Sequence, residues 1–209
     1  SDIPLPDYNP EKAISILKDA GWEDTNNNGT VDKVIEGNRM ELSIDLLASP
    51  SENSKNICLL VQSSAASGGV KINPVFKELR TIVGEHLVPR NFEMYALAWS
   101  QQVGDYDPKQ LWHSESDTPS GRNWSGFNVP ECDAVIDQLR ETIEQNERIP
   151  LYHKWQEMVV EAQPYIFLAA PQERIAVNKK FEARVSAKKP GIAENLFEVR
   201  RVGNTISEQ

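Results

Sequence analysis

The chain has 209 residues, of which 39% are hydrophobic and 25% are charged, a composition typical of an ordinary soluble globular protein. Its 31 acidic residues outnumber its 22 basic residues and give a net charge of −9, which argues against nucleic acid or an anionic membrane as a partner, because both select basic surfaces. No apolar run approaches the length of a membrane span.

The first predicted element is a helix near the N-terminus. Asn9 supplies an N-cap, Pro10 occupies the first helical position, and Glu11 places an acid near the positive end of the helix dipole. Gly21 ends the helix, and we expect Trp22 to fold back against it as a hydrophobic plug.

The segment that follows has the spacing of a calcium loop. The candidate ligands at loop positions 1, 3, 5 and 9 are Asp24, Asn26, Asn28 and Asp32. Gly29 stands at the turn position, but Ile35 stands where the bidentate acid of such a loop belongs. The alternative is an Asx-rich turn whose side chains bond to their own backbone. The sequence leaves a Ca²⁺ site and a structural turn both open, and it predicts no other cofactor.

Segments with alternating apolar residues, which predict strands, then follow in turn with segments whose apolar residues have helical spacing. The predicted strands cover residues 40–46, 70–76 and 93–99, and the predicted helices cover residues 57–65 and 79–87. This order is typical of an α/β fold with a mostly parallel sheet flanked by helices. Ligands of such sheets bind beyond the carboxyl ends of the strands, where Trp99 and the turn after it are expected.

The second half of the chain is predicted to start with two helices. They cover residues 130–143 and 148–162, and Gln163-Pro164 ends the second one. Short strands are predicted at 165–170 and 174–177, and a turn at Pro190-Gly191. We expect residues 1–200 to form a single α/β lobe and residues 201–209 a flexible tail.

The two cysteines and three histidines do not have the spacing of a zinc site. Cys58 and Cys132 are expected to be buried thiols, because Cys132 lies on the apolar face of a predicted helix, although a single disulfide is the alternative in an oxidising compartment.

The candidate ligand-binding residues are concentrated between the third predicted strand and the helix at residue 130. They are Trp99, Asp105, Tyr106, Asp107, Asn123 and Trp124. Loops rich in Trp, Asp and Asn at this place usually bind a small molecule. The alternative is that the aromatic side chains are core and the acids cap turns. No set of nucleophile, base and orienting group can be identified, so the sequence does not predict an enzyme.

Three groups of motifs, in this order and spacing, resemble one family. The first includes YNPEKA at 8–13 and AGW at 20–22; the second GDYDP at 104–108, NWSGFN at 123–128 and PECD at 130–133; the third Arg148, Leu151-Tyr152 and Trp155-Gln156. Together they resemble the family 5 extracellular solute-binding proteins of bacterial ABC importers, which bind peptides, dipeptides or nickel. The resemblance covers nearly the whole chain.

This resemblance implies a periplasmic-binding-protein type II lobe. The chain corresponds to the second lobe of a two-lobed clamp, and the first lobe is expected to be absent from it. The implied function is capture of peptides or similar solutes for a membrane permease. The implied parent is a bacterial protein of the periplasm or cell surface, anchored as a lipoprotein, and monomeric. In peptide-binding members an aspartate after the third strand pairs with the α-ammonium of the ligand, and Asp105 or Asp107 matches it here.

Two other functions remain as alternatives. A sensor or regulatory domain would use the same lobe beside a DNA-binding domain located elsewhere. A hydrolase would use Asp105 and Asp107 as an acid–base pair.

Overall fold

The computed structural model describes residues 3–4, 6–99, 106–170, 174–185 and 196–202. The chain divides into two compact units. The first comprises Ser1–Ala98 and Pro108–Pro164, and the second comprises Trp99–Asp107 and Tyr165–Gln209.

The first unit begins with helix α1 (Pro10–Asp19), which starts where the sequence predicts. The Asn9 side chain accepts a hydrogen bond from the Lys12 N–H at 2.8 Å, so the predicted N-cap is confirmed. The Trp22 side chain is half-buried after the helix, and the Lys33 ammonium lies 5.9 Å from its ring centroid.

An antiparallel hairpin follows, formed by β1 (Asp32–Ile35) and β2 (Asn38–Glu41). The prediction of one strand over residues 40–46 is therefore wrong in its extent. The run is divided between β2 and β3 (Ser43–Ala48), and Leu42 between them donates its N–H to Val31 O at 2.9 Å. Alternation shows which face of a strand is apolar, but it does not show where the strand changes its partner.

A three-stranded parallel sheet forms the centre of this unit. Helix α2 (Glu52–Ala66), capped by Ser51, connects β3 to β4 (Lys71–Phe76), and β3 pairs with β5 (Met94–Ala96) on its other side. The predicted parallel α/β sheet is confirmed. The third strand is shorter than the predicted 93–99.

The two faces of the sheet are covered by different elements. On one face the buried Cys58 of α2 packs with Leu46, Ala48 and Ile72. The predicted helix at 79–87 is found as α3 (Leu79–Thr81) continued by a π-helical turn, Ile82–Leu87. Residues from that turn form a second buried cluster with Trp124, against which Phe92, Tyr95 and Leu97 pack.

Four helical segments complete the first unit. They are α4 (Lys109–Trp112), a 3₁₀ turn (Ser114–Ser116), α5 (Pro130–Glu141) and α6 (Gln145–Ala162). Helix α6 begins before the predicted residue 148 and contains Pro150. Trp112 is buried with its ring edge-on to Phe127 and Trp155. Both cysteines are free and buried, as predicted.

The second unit contains a short antiparallel pair, β6 (Phe181–Glu182) and β7 (Arg200–Arg201), that the sequence did not predict. The strands predicted at 165–170 and 174–177 are wrong: these residues are not in strands. Their apolar pattern fits a strand face, but a strand also needs a hydrogen-bonded neighbour. The Pro190-Gly191 turn and residues 203–209 lie outside the described residues. No helix in the described part of the chain has the length and apolar character needed to cross a membrane.

Candidate functional site

The carboxyl ends of the three parallel strands lie at one edge of the sheet. Ala48 at the end of β3 is in register with Phe76 of β4 and with Ala96 of β5. Lys77, the residue after β4, continues along this edge and donates its N–H to Ala48 O at 3.0 Å. In open α/β sheets this edge is where ligands bind.

The chain that leaves β5 carries several of the predicted ligand-binding residues. Trp99 is 41% exposed, Tyr106 is half-buried and Asp107 is exposed. All three belong to the second unit. Asp105 lies outside the described residues, so the structure describes only one of the two candidate aspartates. An exposed indole and an exposed carboxylate are the groups that an organic cation would need.

Asn123 is 0% exposed and organises the loop that precedes α5. Its Nδ2 donates to His113 O at 3.1 Å and to Phe127 O at 2.7 Å. Its Oδ1 accepts from Phe127 N–H at 3.0 Å and from the Ser125 hydroxyl at 3.1 Å. Every hydrogen-bonding position of the amide therefore has a partner inside the protein. A ligand contact through Asn123 stays a prediction, while its place in the loop is structural.

Trp124 is 9% exposed and packs in the core of the first unit. Its ring lies edge-on to Tyr95, with 6.4 Å between ring centroids, and it joins Ile82 and Leu87 in one buried cluster. The side chain thus covers the sheet face opposite to α2. Contact of Trp124 with a ligand likewise stays a prediction.

Arg90 anchors the same loop, and sequence reasoning missed it. Its Nη2 forms an ion pair with Asp117 and donates to Asn123 O at 2.9 Å. The backbone of Arg90 has a φ of 60°, a left-handed conformation that the sequence does not signal at an arginine. The loop is therefore tied to the turn before β5 as well as to its own backbone.

The loop is also held to helix α5 through polar side chains. Ser114 donates its N–H to Asp133 at 2.9 Å and its hydroxyl at 2.5 Å. His113 is buried, and its Nδ1 accepts from the Glu115 N–H at 3.1 Å. Lys109 forms a 2.8 Å ion pair with Glu115, and this hydrogen bond raises the pKa of Lys109 and lowers the pKa of Glu115. The two bonds from Ser114 to Asp133 tie the start of the loop to α5, and the other contacts order the 3₁₀ turn itself.

The candidate calcium ligands are largely engaged in bonds within the turn. The two carboxylate oxygens of Asp24 accept from the N–H groups of Asn28, at 3.1 Å, and Gly29, at 2.8 Å. The amide oxygens of Asn26 and Asn28 also accept backbone N–H groups, from Asn28 at 3.0 Å and Thr30 at 2.9 Å. This is the Asx-rich turn that the sequence left open.

Asp32, the fourth candidate ligand, is 2% exposed and is bound to Arg39. The Nε and Nη2 atoms of Arg39 donate to its two oxygens at 2.9 and 3.2 Å, and Thr25 donates from its N–H and its hydroxyl. Burial raises the pKa of Asp32, but the hydrogen bonds from Arg39 and Thr25 outweigh it and hold the pKa below its ordinary value. A calcium ion would have to displace the Arg39 guanidinium from this carboxylate. Calcium binding stays a prediction.

Comparison with known proteins identifies a family. The model for bacterial extracellular solute-binding proteins, family 5 Middle, matches residues 1–121. The oligopeptide-binding protein AppA of Bacillus subtilis is 25% identical over 182 residues, which are 87% of this chain and 33% of that protein. The di/tripeptide-binding protein 2 of Pseudomonas aeruginosa is 28% identical over 171 residues, 78% of this chain and 29% of that protein.

Solved structures give the same fold. The B. subtilis AppA structure, in complex with a nonapeptide, superimposes with a TM-score of 0.68 at 26% identity and covers 79% of this chain and 32% of that one. The Thermus thermophilus oligopeptide-binding protein, complexed with a pentapeptide, superimposes with a TM-score of 0.69 at 15% identity over 78% of this chain and 30% of that one. The chain therefore spans about a third of the length of these relatives, which are named as binding proteins.

Proposed function

Because the chain belongs to the family 5 bacterial extracellular solute-binding proteins, we propose that it captures a peptide or a similar solute outside the cytoplasm and delivers it to the permease of an ABC importer. In this proposal the chain supplies one lobe of a two-lobed, monomeric clamp, carried by a bacterial parent in the periplasm or anchored at the cell surface as a lipoprotein.

The observation that carries the proposal is the segment after β5. It follows the carboxyl end of a parallel strand and bears the exposed Trp99 and Asp107. Binding proteins for oligopeptides and di- or tripeptides are among the relatives named above. A peptide carries an α-ammonium at one end. A carboxylate and an aromatic ring offer such a cation a charge-assisted hydrogen bond and a cation–π contact.

The proposed roles follow from these groups. Asp105 or Asp107 pairs with the α-ammonium, while Trp99 and Tyr106 supply apolar surface. Asn123 and Trp124, both buried, act through the loop they stabilise. The chemistry is binding alone, with no covalent step.

The test is calorimetric titration of the complete protein with a mixture of short peptides and then with single peptides. Asp105→Asn and Asp107→Asn are compared on a free peptide and on its N-acetylated form, which lacks the ammonium. If one aspartate pairs with the ammonium, its variant and the acetylated peptide each weaken binding by about tenfold, and combining them adds little more.

Asp19→Asn is the matched control, because Asp19 is an exposed carboxylate at the end of α1. It is expected to leave affinity unchanged. The proposal fails if the wild-type protein binds no peptide. The aspartate assignment fails if both variants bind the free peptide as tightly as the wild type does.

A further inference from the structure

Lys77 is a cation placed directly beyond the carboxyl end of β4. Its N–H donates to Ala48 O at 3.0 Å, so its backbone continues beside the end of the central strand β3. Ligands of parallel sheets bind outside this edge. The sequence motifs did not single out Lys77, since a lysine after a strand is ordinarily a solvated surface residue.

The ammonium of Lys77 is held by an imidazole. Its Nζ lies 2.8 Å from Nε2 of His86, and Nδ1 of His86 lies 2.8 Å from Asn91 O. An ammonium only donates, so Nε2 accepts and Nδ1 carries the proton that is donated to Asn91 O. The imidazole therefore orients the lysine without neutralising its charge.

No acidic side chain forms an ion pair with Lys77 among the residues that the structure describes. This is notable because the chain has 31 acidic residues. Lys77 is half-buried, and a cation with reduced access to water is stabilised by an anion that comes close to it. Within the described residues His86 accepts one of the three N–H donors of this ammonium, which leaves two for such a partner.

His86 reaches Lys77 from the π-helical turn. Val88 N–H donates to Val83 O at 3.0 Å, and Asn91 N–H donates to His86 O at 2.8 Å, both across five residues. A π-helical turn is less stable than an α-helix and is frequently found at functional sites. Here it places the His86 ring within hydrogen-bonding distance of the Lys77 ammonium.

We infer that Lys77, oriented by His86, binds a carboxylate of the captured solute. The inference rests on the proposed function and adds the chemical class of the solute: a peptide that presents its C-terminal carboxylate or an acidic side chain to the carboxyl edge of the sheet. His86 acts as a positioning residue.

The test compares Lys77→Gln with Lys71→Gln in the complete protein. Lys71 begins the same strand and lies at the opposite edge of the sheet, so its variant removes an equal charge away from the proposed contact. Each protein is titrated calorimetrically with a peptide pair that differs only in a free or amidated C-terminus, and with a pair that differs only in Glu or Gln at one position.

The expected result is that Lys77→Gln weakens binding of one carboxylate-bearing peptide by about tenfold or more and leaves its uncharged counterpart unchanged. Lys71→Gln should bind all the peptides as the wild type does. Equal losses for charged and uncharged peptides, or no loss for any, would overturn the inference while leaving the proposed function intact.

If the wild-type protein binds no peptide, the proposed function fails, and a titration with sodium acetate followed by NMR of the His86 ring protons decides the inference. Shifts in the wild type that are absent from Lys77→Gln support a carboxylate site at Lys77. Identical spectra with and without acetate overturn it.

Discussion

Replacing Asn123 by alanine is expected to be among the most destabilising single substitutions in the loop before α5. The side chain is 0% exposed and makes four hydrogen bonds. Alanine would leave His113 O and Phe127 O without this donor and Phe127 N–H without its acceptor. Buried groups of this kind cost about 1–3 kcal/mol each when unpaired, so the loss of three partners should lower the free energy of unfolding by at least about 3 kcal/mol.

Asn123→Asp provides a sharper version of the same test. It keeps the shape of the side chain but replaces the amide donor that faces His113 O and Phe127 O by a second acceptor oxygen. The aspartate variant should therefore be at least as unstable as the alanine variant, despite its smaller change in volume. Asn128→Ala is the control, because Asn128 is exposed in the same loop, and it should change stability by less than about 0.5 kcal/mol.

Urea denaturation followed by circular dichroism measures all three variants at one pH. A loss below about 1 kcal/mol for Asn123→Ala would refute the reasoning, because it would mean that water or relaxation satisfies the groups left behind. An Asn123→Asp variant more stable than Asn123→Ala would contradict the requirement for a donor that faces His113 O and Phe127 O.

Three further predictions concern other parts of the first unit. The pKa of Asp32 is lower in the folded protein than its ordinary value of 3.8, so its charge stabilises the fold above that pH and the contribution is lost as the pH falls below it. The difference in unfolding free energy between the wild type and Asp32→Asn should shrink in that acidic range, and a difference constant down to about pH 2 would contradict this. Gly121→Ala should lower the free energy of unfolding by about 1–3 kcal/mol, because the added methyl group would meet Ser116 O. Gly84→Ala is the control, because open space surrounds Gly84, and it should leave the free energy of unfolding unchanged. Equal thermal shifts for the two variants would be evidence against the loop packing. Burial and the nearby Asp133 raise the pKa of Cys132 to about 11. A thiol reagent at pH 8 should therefore label neither Cys132 nor the buried Cys58 until urea is added. Rapid labelling of Cys132 in the native chain would show that α5 opens readily.

The sequence predicts the fold well where the residues of an element by themselves determine its type and its start. Asn9 and Pro10 determine the start of α1, and the alternating runs locate the three parallel strands with their connecting helix. The division of residues 40–46 between two sheets could not be predicted, because it depends on which strand lies opposite. The same limit explains the wrong strands at 165–170 and 174–177.

The candidate site could be predicted only in part. Trp99 and Asp107 are exposed after β5, and their contact with a ligand stays a prediction. Asn and Trp are residue types that often bind ligands, but here both side chains are buried. Trp124 packs against residues from a distant part of the chain, whereas Asn123 is bonded within its own loop. Arg90 and the pair Lys77 and His86 have no local signal, because each depends on contacts formed only in three dimensions.

The cover that Trp124 provides for the sheet has a consequence for biosynthesis. Trp124, which seals this face, is synthesised about 30 residues after Tyr95 and about 40 residues after the π-helical turn. During translation this face of the sheet stays uncovered until the loop containing Trp124 has been synthesised. A nascent chain stalled in that interval would present an exposed hydrophobic surface to chaperones.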